Sequence, residues 1–480
     1  MTAVIASAFP PALSDRGLGR GKSAVHRLVL VLVWLTIALS SIVFTEPAPV
    51  DALTIGLMIL LPVVGLVEAK PGLWACFAML SAMIAFGALS AMAARDAGLA
   101  ISHMAVTAYL AGACILFSAF VAKHPEAHTR LILSAFLAAG IIAALCGICG
   151  YLNLFPGAYD LFTRYDRASG PFKDPNVFGP FLVAPLLTAL DFWLRRPLRR
   201  GMLALVAAAI LTVGILFSFS RGAWAAAAIG VGFYGYLYML TAESNRSRLK
   251  LAALVLVGAA LLGLIVAVAL QSQSVARLLQ ERTALTQPYD EGPDGRFGGQ
   301  MKAVGLIIEN PLGLGAQNFA RFFHHEEVHN VYLNMFLNTG WIGGILYLLM
   351  CGGTLALGFR FALRSSKSAP LFLIVFSALA GNICEGVLID SDHWRHFYLL
   401  MALQWGLMFA NPRKERTARA IRDRRPALLR SPLVVPLSRR QIRIRGRMIA
   451  KVNLSASWPD LAGKIPAPSA RGRRIVAPMT

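Results

Sequence analysis

Twelve apolar segments, most of them close to 20 residues long, divide this chain of 480 residues. A helix needs about 20 apolar residues to cross the hydrocarbon of a bilayer, where backbone polar groups must pair within the segment. We therefore predict an all-α polytopic membrane protein with about 12 transmembrane helices. The pattern of apolar and polar residues alternating over about ten positions, typical of a membrane β-barrel, is not seen. The segments lie at about 28–45, 50–67, 72–94, 101–122, 131–152, 176–194, 201–219, 222–241, 249–270, 329–361, 369–388 and 394–410.

The composition agrees with a chain that is embedded in a membrane. Hydrophobic residues make up 57% of it and charged residues only 15%, whereas about a quarter of the residues in soluble proteins are charged. The formal net charge of +22 would by itself fit a nucleic-acid-binding protein, but residues 411–480 contain 18 Lys and Arg against 3 Asp and Glu. We expect this segment to be a mostly disordered cytoplasmic tail that attracts anionic lipid, and we expect no nucleic acid as partner.

The connections between the apolar segments alternate in charge. Every second connection is rich in Lys or Arg, and such connections stay in the cytoplasm. This predicts a cytoplasmic segment at 1–27, helices 1–9 within 28–270, an outward loop at 271–328, helices 10–12 within 329–410, and a cytoplasmic tail at 411–480. Both termini are then cytoplasmic. Nucleotides are not available on the outward side, so a reaction there needs a substrate that is already activated.

The long loop at 271–328 contains a short amphipathic pattern. The run GQMKAVGLIIENP predicts a helix that ends before Pro311, with Met301, Val304 and Ile308 on one face. Such a helix can lie in the membrane interface. The loop is therefore expected to return toward the bilayer rather than extend away from it.

Two groups of cations lie where the sequence enters apolar segments from the outward side. Arg167 and Lys173 precede Asp174-Pro175-Asn176, a typical helix start whose backbone N–H groups also favour anions. Arg221 follows Ser220 between two apolar segments, where a guanidinium is costly unless an anion or carbonyl satisfies it. Arginine suits bidentate recognition of phosphate. The alternative is that these side chains contact lipid headgroups or extend to the membrane surface.

The outward loop and its exit supply a further cation and an imidazole. Arg296 lies in the loop, and His329 with Asn330 begins the tenth apolar segment. A neutral imidazole can accept a proton near pH 7, so His329 is a candidate general base, with a structural loop histidine as the alternative. The run HHEEVH lacks the spacing of a zinc-binding helix, so no metal is predicted. The run LIDSDHWRH at 388–396 is either an ordinary polar hairpin or a contact for an acceptor.

These motifs together resemble the bacterial O-antigen ligase and O-antigen polymerase superfamily. The matching runs are RASGPFKDPNVFGP, FSFSRGAW, the loop arginine followed by IIENPLGLGAQNF, and VHNVYLNMFLNTGWIGG, between about 166 and 344. The resemblance implies a polytopic glycosyltransferase of the bacterial inner membrane that uses undecaprenyl-pyrophosphate-linked glycans. It requires no cofactor.

The resemblance also implies roles for individual residues. Arg221 and Arg296 match the arginines that hold the pyrophosphate, and His329 matches the essential loop histidine. Arg167, Lys173 and Asn330 are expected to contact substrate beside them. An acceptor hydroxyl deprotonated by His329 would then attack the anomeric carbon of the lipid-linked sugar.

The sequence leaves three functions open. A ligase would transfer the glycan to lipid A core, whereas an O-antigen or exopolysaccharide polymerase would transfer it to another repeat unit; the motifs fit both. A polysaccharide or lipid transporter is the alternative from another class, and a structural role in an export assembly is the third. The sugar, the acceptor and the oligomeric state are not determined by the sequence.

Overall fold

The protein is almost entirely helical in the computed structural model, which describes residues 20–242, 244–269, 271, 292, 295–364 and 366–410. Among these residues the only strands form a hairpin of β1 (Thr163–Arg164) and β2 (Arg167–Ala168), with Arg164 opposite Arg167. The helices are α1 Arg20–Ala38, α2 Pro49–Val63, α3 Leu73–Ala93, α4 Ala97–Lys123, α5 Pro125–Tyr151, α6 Ala158–Phe162, α7 Pro175–Phe181, α8 Val183–Arg195, α9 Leu198–Phe217, α10 Arg221–Thr241, α11 Asn245–Ala269, α12 Arg296–Glu309, α13 Asn318–Phe322, α14 Val331–Ala362, α15 Ala369–Glu385 and α16 Arg395–Phe409.

The helices account for the apolar segments of the sequence. Among the described residues, six helical stretches are long and apolar enough to cross a membrane, and four shorter apolar helices accompany them. The predicted sixth segment comprises α7 and α8, which follow one another directly at Leu182 and count as one apolar stretch. The predicted all-α polytopic membrane fold is confirmed. The predicted tail at 411–480, residues 1–19 and most of 271–294 lie outside the described residues.

Helix α16 lies at the centre of the bundle. Every residue of α16 from His396 to Met408 is buried, and its most extensive packing is against α4. A helix that is apolar on all sides has to be surrounded by other helices. Trp405 is fully buried there, and its Nε1 donates a hydrogen bond to Thr354 Oγ1 on α14 at 2.9 Å. The bundle is therefore organised around the last described helix.

Most of the polar connections meet at one end of the bundle, which we call the polar end. It holds the connections 39–48, 94–96, 152–174, 218–220, 310–330 and 386–394, which are the ones predicted to face outward. Contacts between distant parts of the chain join them. Arg321 pairs with Asp96 at 2.5 Å, Asp392 contacts His103 at 2.9 Å, and Val43 N donates to Pro171 O at 2.9 Å.

The short helix predicted before Pro311 is present as α12. Its predicted apolar face is largely exposed: Met301 retains 74% of its accessible surface and Ile308 retains 66%. The opposite face packs on α14 and on a small cluster around Phe319. The interfacial position proposed for this helix remains a prediction.

Helix α14 is broken at Gly340, and the segment after α12 fills the break. Gly340 has a φ of 71°, which lies in the left-handed region. The carbonyl of Pro311 accepts a hydrogen bond from Trp341 N at 2.9 Å, and Leu314 N donates to the carbonyl of Leu337 at 2.7 Å. Backbone groups opened within an apolar segment must find partners elsewhere. This pairing fixes the segment 310–315 to α14.

The break gives a testable consequence for stability. A Cβ at Gly340 would lie 2.6 Å from the Pro311 carbonyl oxygen, whereas a Cβ at Gly352 on the same helix would have nothing within 4 Å. Because the left-handed backbone also disfavours a side chain, we expect Gly340→Ala to cost more than about 1 kcal/mol. Thermal unfolding of the purified protein in detergent measures this. Gly352→Ala should leave the transition almost unchanged, and an equal effect of both substitutions would contradict the proposed role of the break.

Candidate functional site

Arg296 and His329 lie together at the polar end. Arg296 is the first residue of α12, and its Nη2 donates hydrogen bonds to the carbonyl oxygen of His329 at 3.3 Å and to that of Leu388. One guanidinium thus links the start of α12, the entry to α14 and the loop at 386–394. The two residues are 33 positions apart in the sequence, and the fold brings them into direct contact.

His329 has a strained backbone and an acidic partner. Its φ of 48° is left-handed, an uncommon conformation for a residue other than glycine. The chain is held two residues further on, because Val331 N donates to the carbonyls of Gly386 and Ile389 at 2.9 and 3.2 Å. The imidazole Nε2 lies 3.2 Å from Glu326 Oε2. This leaves Nδ1 as the ring nitrogen on the side away from Glu326.

Asn330 caps the helix that begins after His329. Its Oδ1 accepts hydrogen bonds from the backbone N–H groups of Tyr332 and Leu333 at 3.1 and 3.3 Å. Capping of this kind typically contributes about 1 kcal/mol. The side-chain oxygen of Asn330 therefore has a structural task, and the predicted contact of Asn330 with substrate stays a prediction. Asn330 thereby fixes where α14 begins, just after His329.

Arg221 reaches the same region from another direction. It is the first residue of α10, where Ser220 Oγ accepts a hydrogen bond from Ala223 N at 3.3 Å. The next residue, Gly222, packs so closely on Glu385 that a Cβ there would lie 2.6 Å from the carboxyl oxygen. Glu385 ends α15, and its carbonyl accepts a hydrogen bond from Leu388 N at 2.7 Å. The turn from Glu385 to Leu388 therefore contacts the start of α10, which carries Arg221, at one end. At its other end it contacts the guanidinium of Arg296.

Arg167 supports the turn that precedes Arg221. Its Nε donates to the carbonyl of Ser218 at 2.7 Å, and its Nη2 donates to Asn176 Oδ1, also at 2.7 Å. The residue keeps only 6% of its accessible surface. Arg167 thus connects β2 and the start of α7 to the junction between α9 and α10. Its contact with the Ser218 carbonyl lies three residues before Arg221, and part of its guanidinium holds the fold. A contact of Arg167 with substrate stays a prediction.

Lys173 lies in different surroundings from Arg167. Its Nζ is 3.6 Å from Glu46 Oε2 and both side chains are about half exposed. Lys173 and Asp174 line a cavity of about 520 Å³ at the polar end. Lys173 was predicted to form one phosphate-binding group with Arg167. The two side chains contact different parts of the protein, because the chain turns between them at Gly170.

The cavity has an apolar floor and a polar mouth. Helices α1, α2, α4, α5, α7 and α16 supply its walls together with the loop at 386–394. Apolar lining residues are Ile37, Val50, Leu110, Ala113, Phe117, Phe136, Phe172, Val177, Phe181 and Leu399. Polar and amphipathic lining residues are Ser40, Glu46, Thr54, Tyr109, Lys173, Asp174, Gln317, Asp390, His393, Trp394, Arg395 and His396.

A buried ionic group borders this cavity. Arg395 donates from Nε and Nη2 to the two carboxylate oxygens of Asp51, each at 2.7 Å, and Tyr109 Oη donates to Asp51 at 3.0 Å. Burial and the neighbouring Asp392 raise the pKa of Asp390 well above its usual range. Although burial opposes it, the hydrogen bond with His103 holds the pKa of Asp392 below its usual value. The pKa values of these two neighbouring carboxyls are therefore shifted in opposite directions.

His103, Asp392 and His393 are the described residues best placed to hold a metal ion. Their ligand atoms lie within 4.8 Å of one another. However, the two imidazole rings are stacked with centroids 3.8 Å apart and planes inclined by 22°. Ligand lone pairs lie in the ring planes, so nearly parallel rings cannot both point at one ion about 2 Å away. In this arrangement the three side chains form a hydrogen-bonded group with Thr107.

Two acidic residues near the site were missed by the sequence analysis. Glu326 was considered only as a metal ligand, and the sign that could have identified it is its position three residues before His329. Glu385 is 1% exposed, and neither carboxyl oxygen has a hydrogen-bond partner among the described residues. The sign in the sequence is an acidic residue in the last turn of an apolar segment. A buried carboxyl without partners is costly, which is typical of functional sites.

The fold and the site together define a polytopic membrane protein with cations and an imidazole at one end. Residues 203–348 match the family model described as O-antigen ligase. The match includes Arg221, Arg296 and His329, and supports the place of this chain in the O-antigen ligase and O-antigen polymerase superfamily. No curated protein sequence matches the chain significantly. The family supports an O-antigen ligase- or polymerase-like function in polysaccharide biosynthesis, by a glycosyltransferase type of membrane enzyme.

The contact between α10 and Glu385 can be tested with a pair of substitutions. Gly222→Ala would force its Cβ against the Glu385 carboxyl, whereas Gly232 on the same helix has nothing within 4 Å of an added Cβ. Overpacking of this kind costs about 1–3 kcal/mol. We expect Gly222→Ala to lower the thermal unfolding temperature in detergent and Gly232→Ala to leave it within error. Equal melting temperatures for both variants would show that the contact is loose.

Proposed function

We propose that the protein transfers a glycan from undecaprenyl pyrophosphate to an acceptor hydroxyl at the outward, periplasmic face of the bacterial inner membrane. The observation that carries this proposal is the hydrogen bond from Arg296 to the carbonyl of His329. This hydrogen bond brings the guanidinium of Arg296, a candidate phosphate-binding group, next to His329, the candidate base. Arg221 approaches the same turn through the contact of Gly222 with Glu385.

The two arginines suit the leaving group of such a reaction. A pyrophosphate gains negative charge as its bond to the sugar breaks, and guanidinium groups bind phosphate oxygens in a bidentate manner. Groups that are held in place before the reaction stabilise this charge without reorganising. Arg296 is fixed by two carbonyls and Arg221 by the start of a membrane helix. The donor bond itself supplies the free energy of transfer.

His329 is proposed to remove the proton of the acceptor hydroxyl. The proton passes to Nδ1, the hydroxyl oxygen forms a bond with the anomeric carbon, and the bond from that carbon to the pyrophosphate oxygen breaks. Undecaprenyl pyrophosphate leaves with the electron pair. Glu326 at Nε2 orients the ring, in the way that a carboxylate orients the histidine of a hydrolase triad. Arg221, Arg296 and His329 would be the catalytic residues.

Ligase and polymerase share this donor chemistry. They differ in the acceptor, which is lipid A core for a ligase and another repeat unit for a polymerase. We favour an O-antigen ligase-like reaction, in agreement with the description of the family whose model matches residues 203–348. The neighbouring genes provide an independent check. Genes for core-lipid synthesis favour a ligase, whereas a flippase with a chain-length regulator favours a polymerase.

Substitution of the three site residues tests the proposed reaction. We expect His329→Ala to lower the rate of glycan transfer by about 10²–10⁴, the usual contribution of a general base. Arg221→Ala and Arg296→Ala should each lower it by about 10² or more, because each removes a group that stabilises the developing charge. The measurement is the initial rate of transfer in proteoliposomes with an undecaprenyl-pyrophosphate-linked glycan.

Arg164→Ala is a matched control for the arginine variants. Arg164 is exposed at the same end of the bundle and donates to the carbonyls of Asp160 and Thr163, both at 2.9 Å. It should keep the rate of the unsubstituted protein. Transfer that continues at a normal rate in the Arg221 and Arg296 variants would remove the enzymatic proposal and favour transport or a structural role.

A separate experiment tests Glu326 as a positioning residue. Glu326→Ala removes the partner of His329 Nε2 and should lower kcat by about 10–100-fold with little change in KM, because ring orientation matters for proton transfer. Glu326→Gln retains an acceptor oxygen and should recover part of this loss. Glu309→Ala, an exposed acid at the end of α12, is the control. A change in KM alone, or no recovery by glutamine, would assign Glu326 another role.

A further inference from the structure

The cavity at the polar end has cations whose charges are already neutralised. The Arg395 guanidinium is held by both oxygens of Asp51, and its Nη1 lies 3.8 Å from Glu46. Lys173 lies 3.6 Å from the same glutamate. Bidentate arginine–carboxylate pairs are among the strongest hydrogen-bonded pairs in proteins. The cavity therefore has no excess positive charge with which to bind a pyrophosphate.

Asp390 and His393 line the cavity beside these ion pairs. Burial raises the pKa of Asp390, and burial lowers the pKa of His393 despite the neighbouring Asp392. A carboxyl in its protonated form and an imidazole in its neutral form each offer a donor and an acceptor. Glu46 and Asp174 add acceptors, and Lys173 adds donors. A hydroxyl group both donates and accepts, so this mixed set matches a ligand that carries several hydroxyl groups.

Aromatic side chains complete the wall. Phe172, Trp394 and Tyr109 line the cavity beside these polar groups. Aromatic rings supply apolar contact for the C–H face of a sugar ring, while Tyr and Trp keep a polar atom available. The volume of about 520 Å³ lies within the range typical of small-molecule sites. The cavity thus combines the two kinds of contact that a carbohydrate requires.

The cavity and the arginine site share their supporting elements. Asp174, Val177 and Phe181 of the α7 region line the cavity, whereas Asn176 accepts the hydrogen bond from Arg167 on the other side. The segment 174–181 therefore separates the two regions.

The loop at 386–394 also contacts the arginine site with one part and lines the cavity with another. The carbonyl of Leu388 contacts Arg296, whereas the side chains of Asp390 and His393 line the cavity. Asp390 is also joined to the His329 region, because Asn334 Nδ2 donates to it at 2.8 Å. The cavity and the arginine site therefore lie on opposite sides of the segment 174–181 and of the loop at 386–394.

We propose that this cavity binds a sugar of the acceptor glycan other than the one whose hydroxyl reacts, separately from the arginines that hold the donor pyrophosphate. This inference rests on the proposed function and deepens it, since it assigns the acceptor a site and a chemical class. Lys173 then belongs to the acceptor site. Glu46 and Lys173 at the mouth, with Asp390, His393 and Trp394 further in, are the residues that select the sugar.

Binding measurements on the full-length protein in nanodiscs test this assignment. Glycolipid is extracted from source cells that lack this protein, and its oligosaccharide is released as one probe; undecaprenyl pyrophosphate is the other. Glu46→Gln combined with Lys173→Gln leaves the net charge unchanged and removes two charged hydrogen-bonding groups. We expect the Kd of the oligosaccharide to rise about tenfold and that of undecaprenyl pyrophosphate to stay within about twofold.

A matched double variant controls for surface charge. Asp160→Asn with Arg164→Gln removes one acid and one base that are exposed at the same end and do not line the cavity. It should change neither affinity. The assignment is overturned if the Glu46 and Lys173 variant weakens undecaprenyl pyrophosphate binding, with or without an effect on the oligosaccharide. It is also overturned if neither affinity changes, or if the unsubstituted protein does not bind the oligosaccharide.

The same assay separates this proposal from the proposed function. Arg221→Ala should weaken undecaprenyl pyrophosphate binding and leave oligosaccharide binding unchanged. If it leaves undecaprenyl pyrophosphate binding intact, the donor assignment fails whatever the cavity binds. A normal response to Arg221→Ala, together with no response to the Glu46 and Lys173 variant, rejects the acceptor cavity alone.

Discussion

Main-chain carbonyl groups near an apolar region need hydrogen-bond partners, and at the polar end one guanidinium supplies two of them. Arg296 donates to the carbonyls of His329 and Leu388. These carbonyls belong to two separate entries into the membrane bundle, and Arg296 itself begins a third segment. The same interaction that satisfies the backbone therefore also brings the candidate base and the candidate phosphate ligand together.

Much of the fold follows from hydropathy alone. Segments of about 20 apolar residues have few alternatives to a helix in lipid, so their existence and order could be predicted. The break at Gly340 could not, because NTGWIGG differs little from the rest of its apolar segment. Its presence depends on the carbonyl of Pro311, which is 29 positions away in the sequence. Pairing across such distances is set by packing and is not encoded in a local pattern.

The candidate site shows the same division. Arg221, Arg296 and His329 were identifiable because charged residues beside apolar segments are costly and their order resembles a family. The direction in which each of these side chains points could not be predicted from the sequence. Lys173 and Arg167 are six positions apart and were expected to act together, yet the chain turns between them at Gly170 and they contact different neighbours. Glu385 was identifiable only as an acidic residue in the last turn of an apolar segment, since its burial and its contact with Gly222 arise from the fold.

The hydrogen bonds between the segment 310–315 and the break in α14 restrict how this part of the chain can move. Pro311 and Leu314 satisfy backbone groups exposed by the break at Gly340, so lifting this stretch would strand those groups in apolar surroundings. The penalty for each stranded group makes such a movement rare. The segment 310–315 is therefore held on α14, and α12 connects this fixed segment to the contact of Arg296 with His329. Movement of this stretch is thereby coupled to the position of the candidate base.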